Sequence, residues 1–326
     1  MCSNEGMSTT RKDTRRPRLW RPGVVPIYRQ HPITIALSCD RGGMPGSRAR
    51  ILASKLPGAN HVTSFLAWLA VDSRKATQLY FASDSRRSFA NGDHFDDCEK
   101  LFVASNSPDI FAMLGQDIAF PMEALPKICT LIDQGAIPHG LRASLHGRTD
   151  WVLEQLKQMK TDKPGGGNFS VFHGSRHSWG NYAVFGLSRH SYVACDDRWA
   201  SEEYDLNKIE SHAIECDGSG GVQVGRGIVN HTELLGSVSR AYFAGFVVAL
   251  KEGQDKRSGG PPQLVGLGCV GDGRRYGLFT TAGTFFRGRR LTPGDVPSCT
   301  QWRDEGLEPV DQSGKSIRNR RRKVLR

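Results

Sequence analysis

His61-Val62-Thr63-Ser64-Phe65-Leu66-Ala67-Trp68-Leu69-Ala70 is answered, after a short connection, by Leu79-Tyr80-Phe81-Ala82-Ser83-Asp84-Ser85-Arg86. Both runs are apolar and short enough for strands, and the polar residues 72–77 between them complete the pattern of a β-hairpin. Thr63 heads the first run and Asp84 stands near the end of the second. A threonine that is the first residue of a chain carries a hydroxyl and a free amine on adjacent carbons, a nucleophile with its base built in. The pair therefore raises a question of chemistry as well as of fold.

Working outward, residues 99–104 and 109–115 read as a second strand pair, reached through a charged loop at 92–98. After Gly115 the apolar period becomes helical: Phe120, Ala124, Leu125, Ile128, Leu131 and Ile132 share one face, and Trp151, Leu153, Leu156 and Met159 mark a second helix. Pro164-Gly165-Gly166-Gly167 breaks the pattern. Strands are expected again at 169–172, 182–187, 192–196 and 211–216, then a tight turn at Gly218-Ser219-Gly220-Gly221. One long helix over about 229–250 follows, and strands at 263–269, 276–280 and 284–287 close the series. Strands on either side of two groups of helices indicate an α+β protein, with two antiparallel sheets sandwiched between helical layers in a four-layer αββα order.

The flanks differ from this centre. The net charge of +11 belongs to them: residues 1–62 hold 11 Lys and Arg against 3 Asp and Glu, and residues 301–326 hold 8 against 4. Residues 1–62 lack periodicity and are rich in Arg, Gly, Pro and Ser, a composition that buries little and reads as a disordered basic leader. The domain expected to fold is 63–290, and 291–326 reads as a basic C-terminal tail. The eight cysteines are scattered without a CxxC pair, which fits a reduced, cytoplasmic setting and no structural metal. No apolar run approaches bilayer length, and no secretory signal is recognisable. There is no G-x-S-x-G elbow and no P-loop, and Gly225-Arg226-Gly227 lacks the third glycine of a dinucleotide site. No cofactor is expected, and the spacing of His173 and His177 falls in a strand-and-turn region unsuited to a metal.

Six features in order give the chain a resemblance to proteasome β-type and HslV-type peptidases of the N-terminal-nucleophile (Ntn) hydrolase superfamily, over about residues 63–285. Thr63 matches the nucleophile that opens the first strand. Ala82-Ser83-Asp84-Ser85-Arg86 matches an Ala-Asp-Ser-Arg motif with one inserted residue. Lys100 follows Asp84 by the family's sixteen residues. Gly115 resembles the glycine that closes the next strand, Gly218-Ser219-Gly220 the turn before a long helix, and Asp255-Lys256-Arg257-Ser258-Gly259-Gly260 the Asp-x-x-Ser-Gly-Gly after it.

The resemblance implies a threonine-type peptidase that forms an acyl-enzyme on Thr63, in a self-compartmentalised homo-oligomeric ring acting on peptides or unfolded proteins. Any use of ATP would belong to a separate unfoldase. It also implies roles: Lys100 as the cation beside the hydroxyl, Asp84 as its partner, the Gly115 amide as oxyanion donor, and Ser219, Asp255 and Ser258 as groups that orient the terminal amine. An α-amine with a reference pKa of about 8 suits the part of base. The chain departs from the family at Val62, where a processed precursor has glycine. Three explanations stay open: removal of 1–62 as a propeptide despite the valine, a misplaced start with Val62 as the true initiator, or a retained extension on a catalytically inactive scaffold or partner-binding subunit. Nucleic-acid binding by the basic flanks is the reading from another class, but the centre of the chain, 63–300, is close to neutral. Nucleic acid and membrane are not the expected partners.

Overall fold

The computed structural model describes residues 63–317 apart from 90, 293, 296, 298 and 299. The expectations for 1–62 and for the final run of arginines lie outside the described residues. In chain order come β1 (Phe65–Asp72), β2 (Lys75–Ser83), β3 (Arg87–Ser88), β4 (His94–Phe95), β5 (Leu101–Val103) and β6 (Asp109–Gly115). Three helices follow, α1 (Ala119–Asp133), the single turn α2 (His139–Arg142) and α3 (Leu145–Thr161), then β7 (Phe169–His177), β8 (Val184–Val193), β9 (Arg198–Glu203) and β10 (His212–Asp217). Helices α4 (Gly221–Leu235) and α5 (Ser239–Glu252) precede β11 (Gln263–Gly268), β12 (Arg274–Thr280), β13 (Gly283–Phe286), β14 (Arg289–Arg290), β15 (Gln301–Asp304) and β16 (Pro309–Val310).

The protein is α+β. One sheet runs β10-β1-β2-β11-β12-β13-β14, with β15 and β16 attached to β12; another runs β5-β6-β7-β8-β9; β3 and β4 form a separate ribbon. All pairings are antiparallel except β12 with β15. The β1–β2 hairpin turns at Ser73 and Arg74, whose φ values of 50° and 65° fit a two-residue loop with both central residues left-handed. The loop is thus shorter than residues 72–77 suggested, because Ala76 to Gln78 already pair with Val71 and Ala70.

Burial on both faces explains why β1 is apolar without alternation. Phe65, Ala67 and Leu69 pack with Phe81, Leu114 and Phe172 between the two large sheets. Leu66 and Trp68 pack on the opposite face with Val224, Phe243 and Phe246 of α4 and α5. A third cluster joins Phe111, Met113 and Phe169 to Leu125 and Ile128 of α1 and Val152 and Leu156 of α3. Full burial of each such side chain contributes roughly 1.5–3 kcal/mol, so β1, which is shared by two clusters, fixes the frame on which its first residues are carried.

Three local expectations change. The long helix over 229–250 is two helices, broken where Gly236 takes φ 76°. The runs 182–187 and 192–196 are largely one strand, β8, because Ser188, Arg189 and His190, which interrupt the apolar pattern, are themselves buried and paired. The segment after 290 returns to the sheet, with Trp302 of β15 buried against Phe279. Among the described residues no helix is long and apolar enough to cross a membrane.

Candidate active site

Thr63 and Ser64 are carried into the molecule by β1 and are both buried. Asp84, one residue beyond β2, is locked to them by reciprocal bonds: its N–H donates to the Ser64 carbonyl at 3.1 Å, and the Ser64 N–H donates to Asp84 Oδ1 at 3.1 Å. The register Phe65 opposite Ser83 makes this pairing continuous with the hairpin. Lys100, just before β5, extends into the same space and donates from Nζ to Asp84 Oδ1 at 2.7 Å and to Thr63 Oγ1 at 3.2 Å. Neither partner of the Lys100–Asp84 pair has exposed side-chain surface.

Asp84 carries further donors, with the Gly259 N–H on Oδ2 at 2.9 Å and the Arg86 N–H at 3.3 Å. Burial pushes its carboxyl above the ordinary value, while the Lys100 charge and hydrogen bond and the amides of Gly259 and Ser64 act in the other direction. A buried carboxylate so surrounded is held in one orientation. It shares one cation with one hydroxyl.

On its other side Thr63 meets the turn after β10. The Gly220 N–H donates to the Thr63 carbonyl at 3.2 Å. A Cβ at Gly218, whose φ is 89°, would lie 1.9 Å from that same oxygen, so the close approach of turn and strand requires glycine there. Ser219 donates to Asp255 Oδ2, and Ser258 shares a hydrogen bond with the Ser64 hydroxyl. Thus Thr63, Asp84 and Lys100 come together in direct contact. Ser219, on the turn that touches Thr63, pairs with Asp255 from the segment after α5, whereas Ser258 reaches Ser64.

Gly115 ends β6 with φ 151°, where a Cβ would sit 2.6 Å from the Asn168 carbonyl oxygen and from Phe169 Cα. It lines a cavity of about 160 Å³ together with Arg86, Arg87, Phe89 and Asp117. Arg86 and Arg87 stand two and three positions after Asp84 in the chain.

Two residues in this region carry no motif. Gln263 is buried, accepts the Lys100 N–H on Oε1 at 3.1 Å, and donates to the carbonyls of Asp84 and Cys98, each at 2.9 Å. It ties the strand ends holding Asp84 and Lys100 to β11. Ser64 links Asp84 to Ser258. The signal for Gln263 is faint, a polar residue opening an otherwise apolar strand; Ser64 is legible only as the neighbour of Thr63.

His173, discounted above as a metal ligand, is buried and bonded to Asp109 at 3.0 Å, and His177 is exposed. Among the described residues no group of three or more His, Cys, Asp or Glu is placed to hold a metal ion.

No protein-family model matches the chain, and no curated protein matches its sequence. Solved structures similar to it include Anbu (ancestral beta-subunit) from Yersinia bercovieri, at 12% identity and TM-score 0.44. An Anbu (Gly-1) mutant from Hyphomicrobium sp. strain MC1 matches at 13% and 0.41, and the helical assembly of the Anbu complex from Pseudomonas aeruginosa at 14% and 0.41. Each match covers 65% of this chain and 86% of the other. These findings correct the resemblance to proteasome β-type and HslV-type peptidases: the similar structures are Anbu proteins, a proteasome-like but distinct family, and that assignment is withdrawn. At these identities and scores the likenesses give this chain no activity.

Proposed function

We propose that this protein is an Ntn-type amide hydrolase with Thr63 as nucleophile, active when Thr63 is the first residue of the working chain. The observation that carries the reading is the buried contact of Lys100 Nζ with both Thr63 Oγ1 and Asp84 Oδ1. A cation placed on a hydroxyl, and itself anchored by a carboxylate, favours the oxygen's anionic form and adds repulsion against protonating a nearby amine. The Thr63 α-amine takes the hydroxyl proton as Oγ1 attacks the carbonyl carbon of the substrate. The tetrahedral intermediate then collapses with that proton passing to the departing amine, leaving an ester on Thr63. Water, activated by the same amine, hydrolyses the ester and restores the hydroxyl. The Gly115 amide is assigned to the carbonyl oxygen during both steps. Ser219, Asp255 and Ser258 are assigned to holding the turn and strand head that set the position of the amine.

Peptides or unfolded segments are the proposed substrates, and the cytoplasm the proposed setting. The sheets and helices are read as a four-layer αββα sandwich, which apolar clusters on both faces of each large sheet support. Self-association is part of the same proposal, and exposed Leu234, Val238 and Ile209 supply apolar surface for it. An unfoldase partner is left to experiment.

The test is N-terminal mass analysis of the protein from its native host, combined with peptide hydrolysis by that material and by Thr63→Ala. The expected result is Thr63 as first residue and hydrolysis that the substitution abolishes. Hydrolysis that persists in Thr63→Ala, or a full-length chain as the only species in the native host, overturns the reading.

A further inference from the structure

The cavity beside Gly115 holds an uneven distribution of charge. Arg86 lines it, but its guanidinium is committed to Asp96 by two bonds of 2.7 Å and to the Lys256 carbonyl at 3.1 Å. Asp117 lines it too, but its carboxylate accepts the N–H of Ala119 at 3.0 Å and of Gly167 at 3.2 Å. A Cβ built on Gly166 would fall on Asp117 Oδ2, so that oxygen is turned to the 165–167 loop. Arg87 is different. It is half-buried at the start of β3, its guanidinium lies over the Phe89 ring at 5.0 Å, and among the described residues it forms no ion pair. The cavity wall thus offers one uncommitted cation on an aromatic support, opposite an acid already satisfied by amides.

Resting on the threonine-hydrolase reading, we infer that this cavity receives the side chain of the residue on the acyl side of the scissile bond, that it selects a carboxylate there, and that Arg87 is the specificity-determining cation. The geometry gives the position. The carbonyl polarised by the Gly115 amide belongs to the acyl-side residue, and the side chain nearest that carbonyl is the one that enters a cavity lined by Gly115. The chemistry gives the preference. A guanidinium without a carboxylate partner forms a charge-assisted, two-pronged bond with an incoming Asp or Glu, whereas an incoming Lys or Arg meets two arginines. An apolar side chain would leave the guanidinium desolvated and unpaired.

The experiment separates this inference from the reading beneath it by measuring binding and turnover independently. Binding of acetylated peptide amides ending in Glu or Gln is measured on the full chain carrying Thr63→Ala, and hydrolysis of matched Glu, Gln and Arg substrates on native-host protein whose first residue is Thr63. At low salt the Glu peptide is expected to bind about tenfold more tightly than the Gln peptide. Adding Arg87→Gln should erase that difference without moving the unfolding midpoint, and Arg87→Lys should keep part of it. Equal binding of the Glu and Gln peptides, binding of neither, or a Glu preference that survives Arg87→Gln overturns the inference. Glu-selective binding without hydrolysis leaves the carboxylate pocket standing and removes the threonine chemistry. Hydrolysis without Glu preference does the reverse.

Discussion

Two buried carboxylates, Asp84 and Asp109, occupy similar places at strand ends and are served differently. Asp109 is the partner of two basic side chains: Arg148 of α3 at 2.5 Å on Oδ2 and His173 of β7 at 3.0 Å on Oδ1, with the Ser107 hydroxyl adding a bond at 2.6 Å. Burial pushes its carboxyl up, but the His173 and Arg148 contacts more than reverse this and hold it below the ordinary range. Asp84 has one cation, shared with the Thr63 hydroxyl, and burial leaves its carboxyl raised. The first cluster saturates its charge with basic groups and staples a helix to a sheet. The second divides one lysine between a carboxylate and the Thr63 hydroxyl. Burial of charge alone therefore does not separate the two clusters; the hydroxyl held on the same cation as the carboxylate does.

The largest effect expected is at Thr63. Thr63→Ala should lower hydrolysis by about a thousandfold or more with little change in unfolding midpoint, because a nucleophile's loss removes the chemistry and not the frame. Lys100→Met and Arg148→Met then set the two clusters against each other. Each leaves a buried carboxylate short of a partner, and each should cost about 3–5 kcal/mol in urea unfolding. Only Lys100→Met should also abolish hydrolysis at a temperature where the variant remains folded. If Arg148→Met abolishes it equally, the distinction between staple and site fails. Gln263→Leu should cost about 1–3 kcal/mol by leaving the Lys100 N–H without its acceptor, and should lower kcat more than it raises KM. An unchanged kcat would make Gln263 a packing residue only.

The contrast also explains what could be read without coordinates. The strands that carry Thr63, Asp84 and Lys100 were legible as continuous apolar runs, because burial on both faces writes such strands plainly into sequence. The family resemblance, with its sixteen-residue interval after Asp84, pointed to Lys100. The Asp109–His173–Arg148 cluster was illegible because its members come from a strand end, another strand and a helix far apart in sequence, with no local period to relate them. Other buried polar residues hid β8, since Ser188, Arg189 and His190 look like a break in a core strand until their partners are placed. Gln263 and Arg87 escaped for a different reason: their meaning lies in which partners they have, and in Arg87's case in the carboxylate it lacks. The break at Gly236 was lost in the apolar continuity of its flanks, Leu234, Leu235 and Val238, which are in fact exposed.

A third carboxyl, Glu215 of β10, lies between these extremes and sharpens them. It is buried beside Asp217, accepts the Tyr204 hydroxyl at 2.9 Å, and has Arg189 near but committed to Asp217 at 2.9 Å. Burial and the neighbouring negative charge push its carboxyl up to about 7. Between the ordinary value near 4.5 and 7 the folded protein keeps a proton that the unfolded chain has released, so unfolding gains from every rise in pH through that window. Its contribution is fully present below 4.5 and is lost as pH rises through 7, an effect of about 2–3 kcal/mol. His190, depressed to about 3 chiefly by burial, acts with the opposite sign: its contribution is present above about 6.5 and is lost as pH falls toward 3. Across pH 4.5–6.5 the two slopes nearly offset each other in the wild type, so Glu215→Gln should unmask the His190 slope: its urea unfolding free energy should rise by about 2 kcal/mol between pH 5 and pH 8, where that of the wild type stays nearly level. The same change between pH 5 and pH 8 in both proteins would show that Glu215 is charged in the folded state, and would place it with Asp109 as a carboxylate fully met by its partners.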